Sequence, residues 1–268
     1  MSEPHVLRHP GPATAPRIAA VPCRADKRRV TLRAGRPLLQ AMAEVAGEAG
    51  AWFDLRDLRL RRLAFVRPAP SPDGKHVAWY SATTVLQDAM IDYAGAHLGL
   101  RDGEAFAHVH GLWTDAQGVA HAGHLLAEQS ELAFDQPVDL WLLEGARYES
   151  APDTETGFTL FRPVATQPVE QPNALLTSVR PNVLLEDALA DCAARIGSAA
   201  PRVRGLGSLV GADLGPGATI DDIASEVVLT GDAGAAAIAV GFDGPPVAGP
   251  PTPGRNRVCV TFELLLLG

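Results

Sequence analysis

The feature that most constrains this chain is an internal repeat of long period. Leu32–Ala41 aligns without a gap on Val179–Ala188: Arg33 meets Arg180, Leu38 meets Leu185, Ala41 meets Ala188 and, further on, Gly50 meets Gly197, each pair 147 positions apart. In one copy the apolar positions Leu38, Leu39, Met42, Val45 and Ala46, and in the other Leu184, Leu185, Ala188, Leu189 and Cys192, predict an amphipathic helix stopped by the glycine. Pro137–Leu142 and Arg257–Phe262 both alternate apolar residues as a closing strand would, and Ala122-Gly123 corresponds to Ala248-Gly249. One supersecondary unit written twice must be built twice, so the repeat sets the architecture before any local propensity is consulted.

Most of the remainder reads as short strands separated by Gly, Asp and Pro, which with the two helices predicts an α+β fold. We expect two tandem domains, each a mainly antiparallel β-sheet with flanking helices. The organisation read from the sequence is a basic, Pro-rich N-terminal tail (1–27), a first domain (28–147), a linker rich in Pro, Thr and Glu (148–174) in which Phe158–Phe161 could form a short strand, and a second domain (175–268). A length of 268 residues with 47% hydrophobic content supplies two small cores. The three cysteines, Cys23, Cys192 and Cys259, have no paired spacing, so any metal is expected on histidine or carboxylate.

The net charge of −8 argues against a surface that grips phosphate backbones all over. It is unevenly spread: residues 1–36 hold eight Lys/Arg against Glu3 and Asp26. That leader reads either as a solvated tail or as an arm for nucleic acid. The longest apolar runs, such as Leu264–Leu267, are too short to cross a bilayer, and the N-terminal residues lack the apolar stretch of a signal peptide, so the expected location is cytoplasmic and no membrane partner is expected.

The residues that point to chemistry are histidines. Asp115–Gly118 is a turn signal between two strand-like runs, Glu104–Trp113 and Val119–Leu125. On a strand, His108 and His110 share a face, and on the returning strand His124 shares it with Ala122, while His121 falls on the other side. Three imidazoles on one side of a hairpin suit Zn²⁺ or a similar divalent ion with a fourth position open; the alternative is three core histidines satisfied by hydrogen bonds. Every histidine lies at or before position 124, so the second copy cannot do this. It has a Gly-rich turn instead, Gly205-Leu206-Gly207-Ser208-Leu209, neither a Walker loop nor a dinucleotide fingerprint, and read either as an anion contact through backbone amides or as a tight structural loop.

With those residues in view, the chain resembles the plant- and prokaryote-conserved (PPC) domain family. The pieces that carry the resemblance are Leu32-Arg33-Ala34-Gly35, Asp102–His110 and Ala122-Gly123-His124-Leu125 in the first copy, and Gly205–Leu209, Ser225–Gly231 and Val258–Glu263 in the second. The resemblance implies a compact α+β domain, a homo-oligomer, usually a trimer, and a metal, usually zinc, on the positions of His108, His110 and His124. It also brings a DNA-binding or transcription-related label; in plant relatives a separate AT-hook contacts DNA, and Arg33-Ala34-Gly35-Arg36-Pro37 is not a full hook. This chain departs from the pattern in both halves: Arg59-Leu60-Arg61-Arg62-Leu63 stands near where the first copy would have the glycine-serine turn, and Pro250 stands where His124 would recur. Each copy keeps what the other lost, so the expectation is a composite pocket in which Gly207 and Ser208 approach the histidines. The leading functional reading is a metal-binding oligomeric PPC-type protein. The alternative is a protein or metal-dependent enzyme that binds a small anionic carboxylate or a carbonyl in the composite pocket.

Overall fold

The computed structural model describes residues 6–268. Ile18–Leu32 forms β1, Leu38–Ala46 α1, Gly50–Val66 β2, Thr84–Arg101 β3, Glu104–Thr114 β4, Ala120–Leu125 β5 and Gln136–Glu144 β6. The hairpin β7 (Ala146–Pro152) and β8 (Thr159–Ala165) follows. The second half contains β9 (Ala174–Val179), α2 (Leu185–Ile196), β10 (Arg202–Leu209), β11 (Ser225–Thr230), β12 (Ala236–Val240), β13 (Val247–Gly249) and β14 (Val258–Leu267).

The order of strands across the first half is β1-β6-β2-β3-β4-β5, and across the second β9-β14-β10-β11-β12-β13. The two orders correspond strand for strand, with a helix inserted at the same step of each. The first half also curls back on itself, because Phe65 and Val66 at the end of β2 pair with Leu125 and His124 of β5. β1 sews the halves into one sheet: Arg24–Leu32 pairs with β6, and Ile18–Cys23 pairs with β9.

Period-two alternation then decides what each face covers. In β14, Phe262, Leu264 and Leu266 join Leu185, Ala188 and Cys192 of α2 in one core, while Leu265 and Leu267 point the opposite way. In the first half Leu38, Ala41 and Met42 of α1 cover Phe53, Leu55, Ala107 and Val109. The remaining faces of the two half-sheets pack on each other through Trp52, Tyr93, Trp141, Leu206, Val228 and Leu265, a third core that exists only because both halves are present. The layers therefore run helix, sheet, sheet, helix. A buried ion pair crosses this middle core: Arg204 Nε lies 3.3 Å from Asp54 Oδ2, the Asp54 carboxylate also accepts the Trp52 indole N–H at 2.8 Å, and the guanidinium lies over the Trp141 ring at 4.8 Å.

Five expectations change. β1 begins at Ile18, well inside the segment read as a tail, and residues 1–5 lie outside the described ones. The segment read as a linker contains β8, of which the Phe158–Phe161 stretch foretold only the start, and the greater part of β7, held by main-chain pairing from Ala146 opposite Ala165 to Pro152 opposite Thr159. α1 stops at Gly47, with φ +63°, and Gly50 instead opens β2, whereas Gly197 does cap α2 in the left-handed region. The closing strands correspond, but in another register: Gln136 stands opposite Leu32 as Phe262 stands opposite Val179, so Pro137 is level with Glu263 rather than Arg257. The strands are also longer than read, because Asp57 and Asp88 keep a positive φ inside β2 and β3 and bend them without ending them.

Candidate metal centre

Asp115 and Gly118 close the turn between β4 and β5 through paired main-chain bonds, and that register sets His110 directly opposite His124. His108 and His110 point to the middle core from β4, while Ala107 and Val109 point to α1. Facing them from the second half are two carboxylates in otherwise apolar strands, Glu226 on β11 and Glu263 on β14. One ligand atom from each of His108, His110, His124 and Glu226 falls within 4.8 Å of the others. His108 Nε2 lies 2.9 Å from His110 Nε2, which lies 2.6 Å from Glu226 Oε2.

The outward nitrogens explain why those edges converge. His110 Nδ1 is 3.0 Å from the Val227 carbonyl, which can only accept, so Nδ1 carries a hydrogen and Nε2 is the atom turned to the centre, where a bound ion would take the place of the hydrogen it shares with Glu226. His108 Nδ1 stands 3.2 Å from Glu263 Oε2, at ion-pair distance though not in hydrogen-bonding alignment, and its Nε2 is likewise turned inward. The Val227 carbonyl behind His110 is the usual support of a metal-ligating histidine. His124 Nδ1 is buried with no hydrogen-bond partner among the described residues. The donor set fits a divalent ion, because four ligand atoms about a tetrahedral Zn²⁺ at ~2.0–2.1 Å stand about 3.3 Å apart, close to the separations present.

Electrostatics inside the cluster are uneven. Burial alone would pull all three histidines toward the neutral form. His108 and His124 do fall well below the ordinary histidine value, by burial first and by the neighbouring imidazoles second. His110 is buried too, but contact with Glu226 outweighs this and raises it. Glu226 is held below its ordinary value, since His110 overcomes the burial that would raise it. Burial pushes Glu263 up to about 8.

The cluster forms one end of a cavity of about 310 Å³ between the halves. His108, His124, Glu226 and Glu263 line it, and so do Gly207 and Ser208 of the second-copy turn. Gly207 is required by close approach: a Cβ there would run into the Thr261 carbonyl oxygen and the Phe262 backbone. Ser208 Oγ accepts the Val260 N–H at 3.0 Å, which leaves its own hydrogen free to donate.

The position expected to be open to water faces Glu226, which the sequence reading passed over. Its signal was present as a single acid inside Ser225–Thr230, a strand otherwise buried on both faces. Glu263 inside Val258–Leu267 carried the same signal. His121 pairs with Asp115 at 2.9 Å away from the site, as its strand parity required. His97 is in register with His108 but sits edge-on between Trp52 and Tyr148, fully buried and outside the four-residue cluster.

No protein-family model and no curated protein matches the chain. Solved structures similar to parts of it include a plant- and prokaryote-conserved (PPC) protein from Pyrococcus horikoshii, 19% identical with a TM-score of 0.39, covering 52% of this chain and 94% of its own. A metal-containing protein from Archaeoglobus fulgidus is 22% identical with a TM-score of 0.39 and covers 51% of this chain and 93% of its own. A protein from Ralstonia eutropha, provisionally named as DNA-binding, is 15% identical with a TM-score of 0.40, covering 52% and 95%.

Proposed function

We propose that this chain is a metal-binding protein of the PPC type, built from two tandem domains (28–147 and 175–268), whose composite site takes histidines from the first domain and a carboxylate from the second. The observation that carries this reading is the convergence of His108 Nε2, His110 Nε2, a His124 ring nitrogen and Glu226 Oε2 on one point, with His110 backed by the Val227 carbonyl and His108 facing Glu263. Zn²⁺ suits three imidazoles and one carboxylate at four-coordination. A divalent ion there would supply positive charge that can hold a carboxylate or polarise a carbonyl at the cavity wall. The chain's own residues orient the imidazoles, keep bulk water from the cluster by burying it, and shape the space beside it.

The cavity favours small-molecule binding as the purpose of the site. DNA binding rests on the family resemblance alone, and six of the eight basic residues of the leader pair within the chain: Lys27 and Arg29 with Asp139, Arg28 with Asp26, Arg33 with Asp135, Arg36 with Glu44 and Arg17 with Glu155. A trimer of such chains is the assembly the resemblance favours, and light scattering on the purified protein reads it directly. The deciding test of the metal is elemental analysis after purification and dialysis against trace zinc. Wild type should hold one zinc per chain and His110→Ala far less; equal contents in the two would remove the site.

A further inference from the structure

The part of the cavity beyond the metal cluster has a composition unlike the rest of the molecule. The chain contains four Trp, three Tyr and eight Phe. Five of these fifteen, Trp79, Tyr80, Phe106, Phe158 and Phe161, line this one cavity. Phe161 is buried against Tyr148, but the other four are not packed as a finished core. Trp79 and Tyr80, from the short hairpin that pairs Ala69 with Trp79, are 42% and 45% exposed, yet Tyr80 stands edge-on to His124 at 5.4 Å. Phe158 meets Trp79 at 5.8 Å, and Phe106 meets Phe161 edge-on at 5.5 Å. Faces and edges so disposed around empty space suit a flat ring, which gains offset or edge-to-face contacts on several sides.

Polar groups at the cavity wall are few and specific. Arg101 lies over Phe106 with its guanidinium carbon 3.6 Å from the ring centre, and among the described residues it has no ion-pair partner. Phe106 and His108 share one face of β4, so the Arg101 guanidinium, carried by the end of β3 and lying over Phe106, stands on the same side of the sheet as the histidines. Ser150 Oγ is buried at the cavity without a hydrogen-bond partner among the described residues, a costly state for a hydroxyl unless something fills it. Ser208 has a hydrogen to give. The cavity's acids are accounted for: Glu226 is paired with His110, Glu263 stands against His108, and Glu128 is exposed at the mouth.

We infer that the cavity binds an aryl carboxylate, with its ring among Trp79, Phe158 and Phe161 and its carboxylate between Arg101 and the histidine end, within reach of the Ser150 hydroxyl. A cavity of about 310 Å³ is at the small end of ligand sites, which fits one ring on a short acid chain rather than a nucleotide or a peptide. A fork-shaped guanidinium braced on a ring is a carboxylate partner that ammonium would not replace equally. This assignment rests on the metal-site reading for one end of the ligand and on Arg101 and the aromatic walls for the other.

The test is calorimetric titration of the full, zinc-loaded chain with benzoate, phenylacetate and 3-phenylpropionate, beside benzyl alcohol and acetate as controls. At least one aryl acid should bind with a Kd below about 1 mM, and both controls should bind roughly tenfold more weakly or not at all. Arg101→Ala should weaken the aryl acid roughly tenfold or more, and Leu160→Trp, which fills the cavity, should abolish binding; zinc content should stay at the wild-type value in both. Benzyl alcohol bound as well as benzoate, or no aryl acid bound by a chain that keeps its zinc, overturns the inference. If the wild type holds no zinc yet binds an aryl acid through Arg101, the ligand assignment stands and the metal reading falls. If it holds neither zinc nor aryl acid, both fall.

Discussion

At the scale of single residues, Glu226 turns three first-half histidines into a four-donor site. A buried carboxylate beside His110 at 2.6 Å is a ligand or a counter-ion, and the two roles separate by substitution. Glu226→Gln keeps the shape and removes the charge, so zinc affinity should drop by at least tenfold in a competition titration with a chromophoric chelator. Val227 should matter little as a side chain, because its contribution to His110 is its main-chain carbonyl; Val227→Ala should change zinc affinity less than Glu226→Gln in the same assay. The histidines were legible in the sequence because strand parity and one turn signal suffice to place His108, His110 and His124 on a common face. Glu226 and Glu263 were not, since their meeting with the histidines depends on how two half-sheets stack across 100 residues or more, a tertiary fact with no local pattern. Both acids nevertheless break otherwise apolar strands, and a charge in such a strand has to be satisfied somewhere.

At the scale of elements, the position of His124 depends on how closely β5 approaches the end of β2. Gly123, at φ +155°, allows that approach, since a Cβ there would meet the Val66 carbonyl oxygen. Gly123→Ala should therefore lower the melting temperature and, because His124 follows directly, weaken zinc binding as well; unchanged affinity in a destabilised variant would show that β5 does not position the ligand. The repeated helices were readable from spacing alone, as α1 and α2 start at aligned positions, Leu38 and Leu185. The hairpin of β7 and β8 was legible only at Phe158–Phe161, because its order comes from pairing with its own return strand and with the end of β3 rather than from a periodic apolar pattern. The stop of α1 at Gly47 rather than Gly50 reflects which of two nearby glycines reaches the positive-φ region first.

At the scale of the whole molecule, the halves hold together through the middle core and a small number of charged groups. Arg204 and Asp54 are both nearly buried, so removing one strands the other: Arg204→Ala should cost roughly 3–5 kcal/mol in denaturant unfolding, more than a surface arginine such as Arg195. A second set joins β7 and the segment after it to the chain before β1 and after β9, where Asp153 meets Arg180 and Arg162, and Glu155 meets Arg17 and Arg180. Burial would raise both carboxyl groups, but their hydrogen bonds, to Arg180 and Thr156 and to Arg17 and Thr14, outweigh it and leave both below their ordinary values. Groups depressed in the folded state stabilise it fully above the unfolded-state carboxyl range of about 3.9–4.3 and lose that contribution as pH falls through the folded values. Stability should thus decline on acidification below about pH 4, and less steeply in Arg180→Gln than in wild type, as read from urea midpoints across pH.

The long-period repeat and a pocket shared between its two copies were legible in the sequence. What was not legible was that a carboxylate of the second half, Glu226, would share the proposed site with the histidines, a consequence of the face on which the two sheets meet. That joint ownership is tested most directly by anomalous diffraction at the zinc edge from crystals of the full chain. The account predicts one strong peak per chain at roughly 2.0–2.2 Å from nitrogens of His108, His110 and His124 and from a carboxylate oxygen of Glu226. A peak held by the histidines alone with Glu226 turned away, or no peak between the two halves, would contradict it.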